Sequence, residues 1–360
     1  MVKATIIIPT YNRPNSLQRV LDYYHKHGKD FDIIVADSSS DENKKLNREI
    51  ILSFPDLNMQ YIDKYPKETD PSYKYADIMN YAKDKYCVFC DDDDFIIPSG
   101  IKDSVDFLEK NPDFTIAHGR YISFWLNPKK RGEKQFCWQV RYSNQSIAFS
   151  EPENRFFKQL SEYGLPTFHG VHRTDFLKMV HKELLDSKIN LEVFGELLPS
   201  MLTLISGKMK CLDNVLYMAR QIDSDRNYRN HWPTLTELIN QGKYDEKYVK
   251  FRKCLVAHLH KKSQSDTEEL KKLVDDAMSM YIKRYYSADP KGALLDKVKY
   301  ILDSLHTPDW IYKKARLIYK RIRFPQQTDD FFVSLDNPSP SFKYYDDFNK
   351  IRSQVISHEQ

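Results

Sequence analysis

The sequence predicts an α/β fold: an open, mainly parallel sheet flanked by helices, followed by an α-helical C-terminal region. Three observations carry this reading. Short apolar, β-branched runs alternate with segments of helical period through the first 120 residues, the pattern of repeated β-α-β units. The first such run is apolar throughout instead of alternating, which suits a strand buried on both faces. From about Asp245 onward the chain turns Gly-poor and its apolar residues recur near a period of 3.6.

ATIIIP (Ala4–Pro9) reads as the first strand. Pro14 then opens a helix with Leu17, Val20, Leu21 and Tyr24 on one face. FDIIVAD (Phe31–Asp37) is the second strand, and SSSDE supplies cap residues for a helix reaching about Leu52. LNMQYID is the third strand, and Tyr75–Lys85 reads as a helix with Ile78, Met79 and Ala82 inward. KYCVFC (Lys85–Cys90) is the fourth strand and runs straight into DDDDF. Pro98 starts another helix, and FTIAHGRYISF reads as a strand pair or one bent strand.

Lys129–Glu133 is a polar turn between aromatic strand-like segments. Helical patterns follow at Glu151–Glu162, Thr174–Ser187 and Phe194–Ser206, then the strand-like KCLDNVLYMAR. Tyr248–Lys261, Asp266–Tyr286 and Leu294–Leu305 are helical, and Asn337–Ser341 reads as a linker or loop. These patterns divide the chain into residues 1–240 and a helical, basic region 241–360.

The composition, 41% hydrophobic and 29% charged, excludes a disordered or collagen-like chain. No apolar run approaches the roughly 20 residues of a membrane-spanning helix. The start, MVKATIIIPTYNRP, lacks the long apolar stretch and small-residue cleavage site of a signal peptide. A cytoplasmic location is therefore expected. The scattered cysteines agree, and Cys87 and Cys90 read as buried core thiols, since no second pair completes a zinc set. Charge is uneven: residues 241–360 hold 23 Lys and Arg against 17 Asp and Glu, while the rest holds 32 against 34. Such a split points to two jobs for two regions.

In an open parallel sheet, ligands bind beyond the carboxyl ends of the strands. Three polar clusters fall there: Thr10-Tyr11-Asn12-Arg13, Asp37 to Asp41, and Asp91-Asp92-Asp93-Asp94. Four adjacent carboxylates repel one another, and a divalent cation with a preference for hard oxygen ligands is the usual compensation. A solvated acidic turn before the helix at Pro98, favoured by the helix dipole, is the structural alternative.

IIIPTYNRP, the Asp of VADSSSDE and VFCDDDDFIIP together resemble the family 2 glycosyltransferases of the GT-A fold, over roughly residues 4–220. The family's D-x-D-D-x-x-x-P element corresponds to Asp91, Asp93 and Asp94, with Pro98 in register. The resemblance implies an inverting, metal-dependent transfer of a sugar from a nucleotide-sugar, with UDP as the default nucleotide and Mn²⁺ or Mg²⁺ as cofactor. It implies that Thr10, Tyr11 and Arg13 line the nucleotide, Asp37 reads the base, Asp91 lies near the ribose and Asp93 is the principal metal ligand, beside Asp91. Asp92 falls within the same donor-binding element. Packing beneath the sheet edge is the alternative for Tyr11. Lys74 could reach the phosphates or sit as a solvated lysine at a helix start.

The family's general base usually follows on a helix start, and NLEVFGELLPSML offers Glu196, with Glu192 second. The alternative for Glu196 is a helix N-terminal acid favoured by the dipole. Arg220, Arg226 and Arg229 form a basic stretch suited to covering a diphosphate, and His231 is a further candidate metal ligand or a plain surface histidine. In FHGVHRTDF, His169 and His172 flank Gly170 near the acceptor side that the resemblance implies and could help close the site; their ordinary reading is as strand polar residues.

Trp310–Phe324 places six Lys and Arg in fifteen residues along an apolar stripe with aromatic ends. Such a helix suits peripheral contact with an anionic membrane at its inner face or packing on the rest of the protein. No recognition motif supports nucleic acid as a partner. The expected partners are a nucleotide-sugar donor and a glycan or lipid-linked acceptor in surface glycan synthesis, with a homodimer through the helical region. The rival functions are a nucleotidyltransferase, disfavoured because PTYNRPNS lacks a Gly-rich phosphate loop, and a catalytically idle binding protein.

Overall fold

The computed structural model describes residues 3–128, 134–140, 142, 144–164, 166–189, 193–222, 235–286, 331–332, 335 and 344–358. The predicted β-α alternation is present. Strands β1 (Ala4–Thr10), β2 (Asp32–Asp37), β3 (Met59–Ile62) and β4 (Tyr86–Phe89) alternate with helices α1 (Pro14–His27), α2 (Asp41–Leu52) and α3 (Pro71–Ile78). Then come β5 (Phe95–Ile96), α4 (Pro98–Lys110), β6 (Phe114–Pro128), β7 (Lys134–Gln139), α5 (Pro152–Glu162), β8 (Val171–Arg173), α6 (Thr174–Asp186), α7 (Val193–Ser206) and β9 (Lys208–Gln221). Helices α8 (Leu235–Asn240), α9 (Tyr244–Lys262), α10 (Thr267–Tyr286) and α11 (Tyr345–Ser357) complete the described chain.

One sheet runs β3-β2-β1-β4-β8-β6-β9-β5, with β7 paired to β6. β1 pairs in parallel with β2 and β4, as do β2 with β3 and β6 with β9. The short strands β5, β7 and β8 pair antiparallel. The long-range direction is therefore shared by β1–β4, β6 and β9, and their carboxyl ends gather at one edge.

The apolar run of β1 is explained by its two partners in packing. Ile6 and Ile8 join the larger core with α1 residues Leu17, Val20 and Leu21, whereas Ile7 faces a second core with Ile34, Ile78 and Phe89. Alternate side chains point to opposite faces of a strand, so covering both faces requires apolar residues at every position. The same alternation separates Cys87 and Cys90: the first belongs to the smaller core and the second to the larger. All five cysteines are free thiols.

α2 begins at the predicted cap, with Ser40 Oγ accepting from Asn43 N. α3 starts earlier than the periodicity predicts and ends before Lys85. Asp70 accepts from Ser72 N at 2.7 Å and Pro71 occupies the first turn, a start signal stronger than the apolar spacing. FTIAHGRYISF forms part of one bent strand. Its register against β9 shifts around Gly119, where the backbone of Val215 approaches too closely for a side chain.

The helices on either side of residue 240 share a core. Phe156, Leu184, Leu198 and Met201 pack with Phe251, Leu255, Leu270 and Val274. The final helix returns to the sheet region: Phe348, Ile351 and Val355 join the large core, Gln354 Nε2 donates to Arg19 O at 3.2 Å, and Ser99 Oγ donates to Asp347 at 2.9 Å. The segments Leu294–Leu305, Trp310–Phe324 and Asn337–Ser341, on which the expected helix, the membrane contact and the linker rest, lie outside the described residues. No described helix is long and apolar enough to cross a membrane.

Candidate active site

The three polar clusters at the strand ends converge. Thr10, the last residue of β1, donates its hydroxyl to Asp92 at 2.7 Å. Three residues on, Arg13 reaches Asp93 at 2.5 Å and Asp92 at 3.5 Å. The intervening Asn12 adopts φ 54°, a left-handed turn that Asn tolerates better than most residues. Asn12 stitches this loop to the next: its N–H donates to Ser39 Oγ at 2.8 Å, and its Oδ1 accepts from Ser40 N at 2.8 Å. Tyr11 is half-buried in the same loop.

Asp37 is fully buried. One oxygen accepts from Ser39 N at 2.7 Å; the other accepts from Asn47 at 2.8 Å and from the Tyr61 hydroxyl at 2.6 Å. It thereby shapes the β2–α2 loop, in which the Ser38 N–H donates to Thr10 O at 3.3 Å. Lys74 is not a solvated helix-start lysine: it is 5% exposed and donates to Ser38 Oγ at 2.8 Å and weakly to Thr10 O at 3.5 Å. Burial pushes its ammonium down to about 8, against the pull of Asp92, Asp37 and Asp91.

The acidic quartet divides by role. Asp94 is a strut, accepting from Gln221 N at 2.7 Å and Arg220 Nε at 3.1 Å, so it fastens the Asp loop to the end of β9. Burial drives its carboxyl well above the usual range, with Arg220 opposing. Asp92 is also buried, and burial with neighbouring Asp93 pushes it up to about 7, while Arg13 and Thr10 oppose. Asp93 meets Arg13, and its backbone carbonyl accepts from Arg19 at 3.1 Å. Arg19 also donates to the side chain of Gln221. Much of the charge compensation that the sequence assigned to a cation thus comes from Arg13, Lys74 and Arg220 of the chain itself.

Asp91 faces inward differently. Its Oδ2 lies 3.6 Å from His169 Nε2 and 3.8 Å from Arg220. His169 is buried, and its Nδ1 lies 3.0 Å from the Phe89 carbonyl. A carbonyl only accepts, so Nδ1 carries the proton and Nε2 presents a lone pair to the carboxylate. Burial, aided by Arg220, lowers the imidazole's proton affinity and keeps the ring neutral. Two acceptors facing each other are reconciled by a cation between them, and a histidine fixed through its other nitrogen is the usual form of a metal ligand. Asp91, Asp94 and His169 can each direct one ligand atom to a common place, all within 4.8 Å of one another. The residues therefore fit a divalent cation, with Asp91 common to the set expected from the sequence and the set this geometry offers. His169, expected near the acceptor side or as an ordinary strand residue, is the member of this candidate set that the sequence did not place at a cation. Its signal was only its position, two residues before β8.

Arg220 donates to the Tyr142 hydroxyl at 2.8 Å besides its contacts with Asp94 and Asp91. Glu196 lies in the first turn of α7 and is exposed; the Tyr163 hydroxyl donates to it weakly at 3.5 Å. One turn along α7, Ser200 Oγ accepts from Thr167 N at 3.3 Å, and Thr167 precedes His169 by two residues. The segment facing Asp91 is thus tied to the helix that carries Glu196. Glu192, Arg226, Arg229 and His231 lie outside the described residues.

The sequence matches the family described as glycosyl transferase family 2 over residues 5–185. No curated protein matches the chain. Among solved structures, S. aureus TarS 1-349 in complex with UDP-GlcNAc is 14% identical with a TM-score of 0.51, covering 99% of this chain and 89% of that one. S. aureus TarS 1-349 in complex with UDP is 16% identical with a TM-score of 0.50 over the same shares. These likenesses concern the fold.

Proposed function

Because the chain belongs to glycosyl transferase family 2, and is therefore a glycosyltransferase, we propose that it is an inverting enzyme moving a sugar from a UDP-sugar to a hydroxyl of a glycan or lipid-linked acceptor. The observation that carries this is the convergence of Thr10, Arg13, Lys74, Asp91–Asp94 and Arg220 at the carboxyl edge of the sheet. The UDP-GlcNAc and UDP held by TarS support UDP as the nucleotide.

In this reading Thr10, Tyr11 and Ser38 line the nucleoside side, with Asp37 setting the loop from below. Arg13 and Arg220 reach the diphosphate, where guanidinium forks match phosphate oxygens. Mn²⁺ or Mg²⁺ would be held by Asp91 with His169 and Asp94, and by Asp93 once Arg13 turns to the donor. When bound there, the cation supplies charge neutralisation for the departing diphosphate. Glu196 accepts the proton of the acceptor hydroxyl as its oxygen bonds to the anomeric carbon and the bond to the diphosphate breaks. Direct displacement inverts the centre and needs one base and no covalent intermediate.

A panel of nucleotide-sugars incubated with the protein and Mn²⁺ tests this. Release of UDP from at least one UDP-sugar is expected. No turnover across the panel, together with no heat of UDP binding, would leave a catalytically idle protein.

A further inference from the structure

A second cluster of ligand-type side chains lies away from the acidic quartet, where α6 meets α9. Cys254 and His258 are four residues apart on α9 and so share a face. Glu183 reaches them from α6. The Cys254 thiol lies 3.5 Å from Glu183 Oε1, and His258 Nε2 lies 3.4 Å from the same oxygen. All three ligand atoms fall within 4.8 Å of one another, and each residue is half-buried.

We propose that Glu183, Cys254 and His258 form a Zn²⁺ site that fastens α6 to α9, with water in the fourth position. The spacing is the first argument. A tetrahedral zinc with bonds of about 2.0–2.3 Å to O, N and S sets neighbouring ligand atoms about 3.4–3.6 Å apart, and the separations of Glu183 from Cys254 and His258 match. The donor set is the second: one thiolate, one imidazole and one carboxylate suit zinc and disfavour Mg²⁺ or Ca²⁺, which take oxygen. Charge is the third, since a thiolate and a carboxylate together neutralise the ion. Partial exposure of Glu183 leaves an entry path.

Binding must expel the thiol proton, because zinc takes the thiolate. One proton therefore leaves the sulfur for each ion bound. The site joins α6, within the family-matched residues, to α9, beyond them.

Titrating the chelator-treated, full-length protein with Co²⁺ alone tests the assignment. One equivalent should produce a sulfur-to-cobalt charge-transfer band, which the carboxylates and histidine of the acidic site cannot give. Zn²⁺ should abolish the band and raise the melting temperature. Cys254→Ser should remove the band, and Glu183→Gln should weaken Zn²⁺ binding by at least about 10–100-fold, the loss that follows even removal of an outer partner. UDP binding should persist in Glu183→Gln, which shows the fold intact and separates this outcome from failure of the transferase reading. Absence of the band in the parent protein, or its survival in Cys254→Ser, would overturn the proposal.

Discussion

Arg13 holds Asp93: a guanidinium nitrogen lies 2.5 Å from the carboxylate, so a side chain expected at the diphosphate occupies a carboxylate expected at the cation. The two roles compete for one ion pair. Arg13→Ala should therefore tighten binding of Mn²⁺ alone and weaken binding of UDP by about tenfold, roughly 1.4 kcal/mol. Calorimetry with each ligand reads both signs, and a change of the same sign in both would refute the exchange.

His169→Gln and Asp91→Asn should each lower Mn²⁺ affinity by about 10–100-fold while circular dichroism stays that of the folded protein. Electron paramagnetic resonance of free Mn²⁺ gives the affinity without any assay of turnover. Equal affinities in parent and variants would return the cation to Asp93 alone.

Glu196→Gln should leave UDP affinity unchanged and slow sugar transfer by about 10²–10⁴-fold, the usual contribution of a general base. The exposed position of Glu196 makes loss of folding an unlooked-for outcome. Transfer at the parent rate would pass the role to another carboxylate.

His181 supplies a pH dependence. It is buried between Tyr75 and Phe89 with neither ring nitrogen hydrogen-bonded, and burial lowers its proton affinity to about 3. The unfolded chain takes up this proton as pH falls through the ordinary histidine range, whereas the folded chain does not, so acid favours unfolding at this site. His181→Phe should remove that dependence. The stability gap in favour of the variant should grow by about 2 kcal/mol from pH 7 to pH 5, measured by denaturant titration at each pH. A constant gap would show that His181 titrates alike in both states.

Gly119→Ala should destabilise the fold by about 1–3 kcal/mol, because its new methyl group meets the Val215 carbonyl. Thermal denaturation reads the effect, and an unchanged melting temperature would contradict the close strand approach.

The sheet was legible because its central strands are buried on both faces, which forces unbroken apolar runs such as Ile6-Ile7-Ile8. Convergence of Thr10, Arg13 and the Asp quartet followed from strand direction alone. Tertiary pairing was hidden. No pattern announces that Asp37 spends both oxygens on Ser39, Asn47 and Tyr61, or that Lys74 is buried beneath Ser38. His169 escaped because its role depends on the Phe89 carbonyl, 80 residues away in sequence. The start of α3 at Pro71 follows from its local cap, Asp70 on Ser72 N with Pro71 in the first turn, which outweighs the apolar spacing that points to Tyr75.

The return of α11 to α1 and α4 has a consequence for synthesis. Phe136 and Trp138 lack part of their cover on a nascent chain until Phe348, which packs against both rings, has left the ribosome. A fragment that stops before residue 344 carries the full acidic quartet and yet leaves Phe136 and Trp138 without Phe348, so aggregation, not lost chemistry, would be the phenotype of late stop codons.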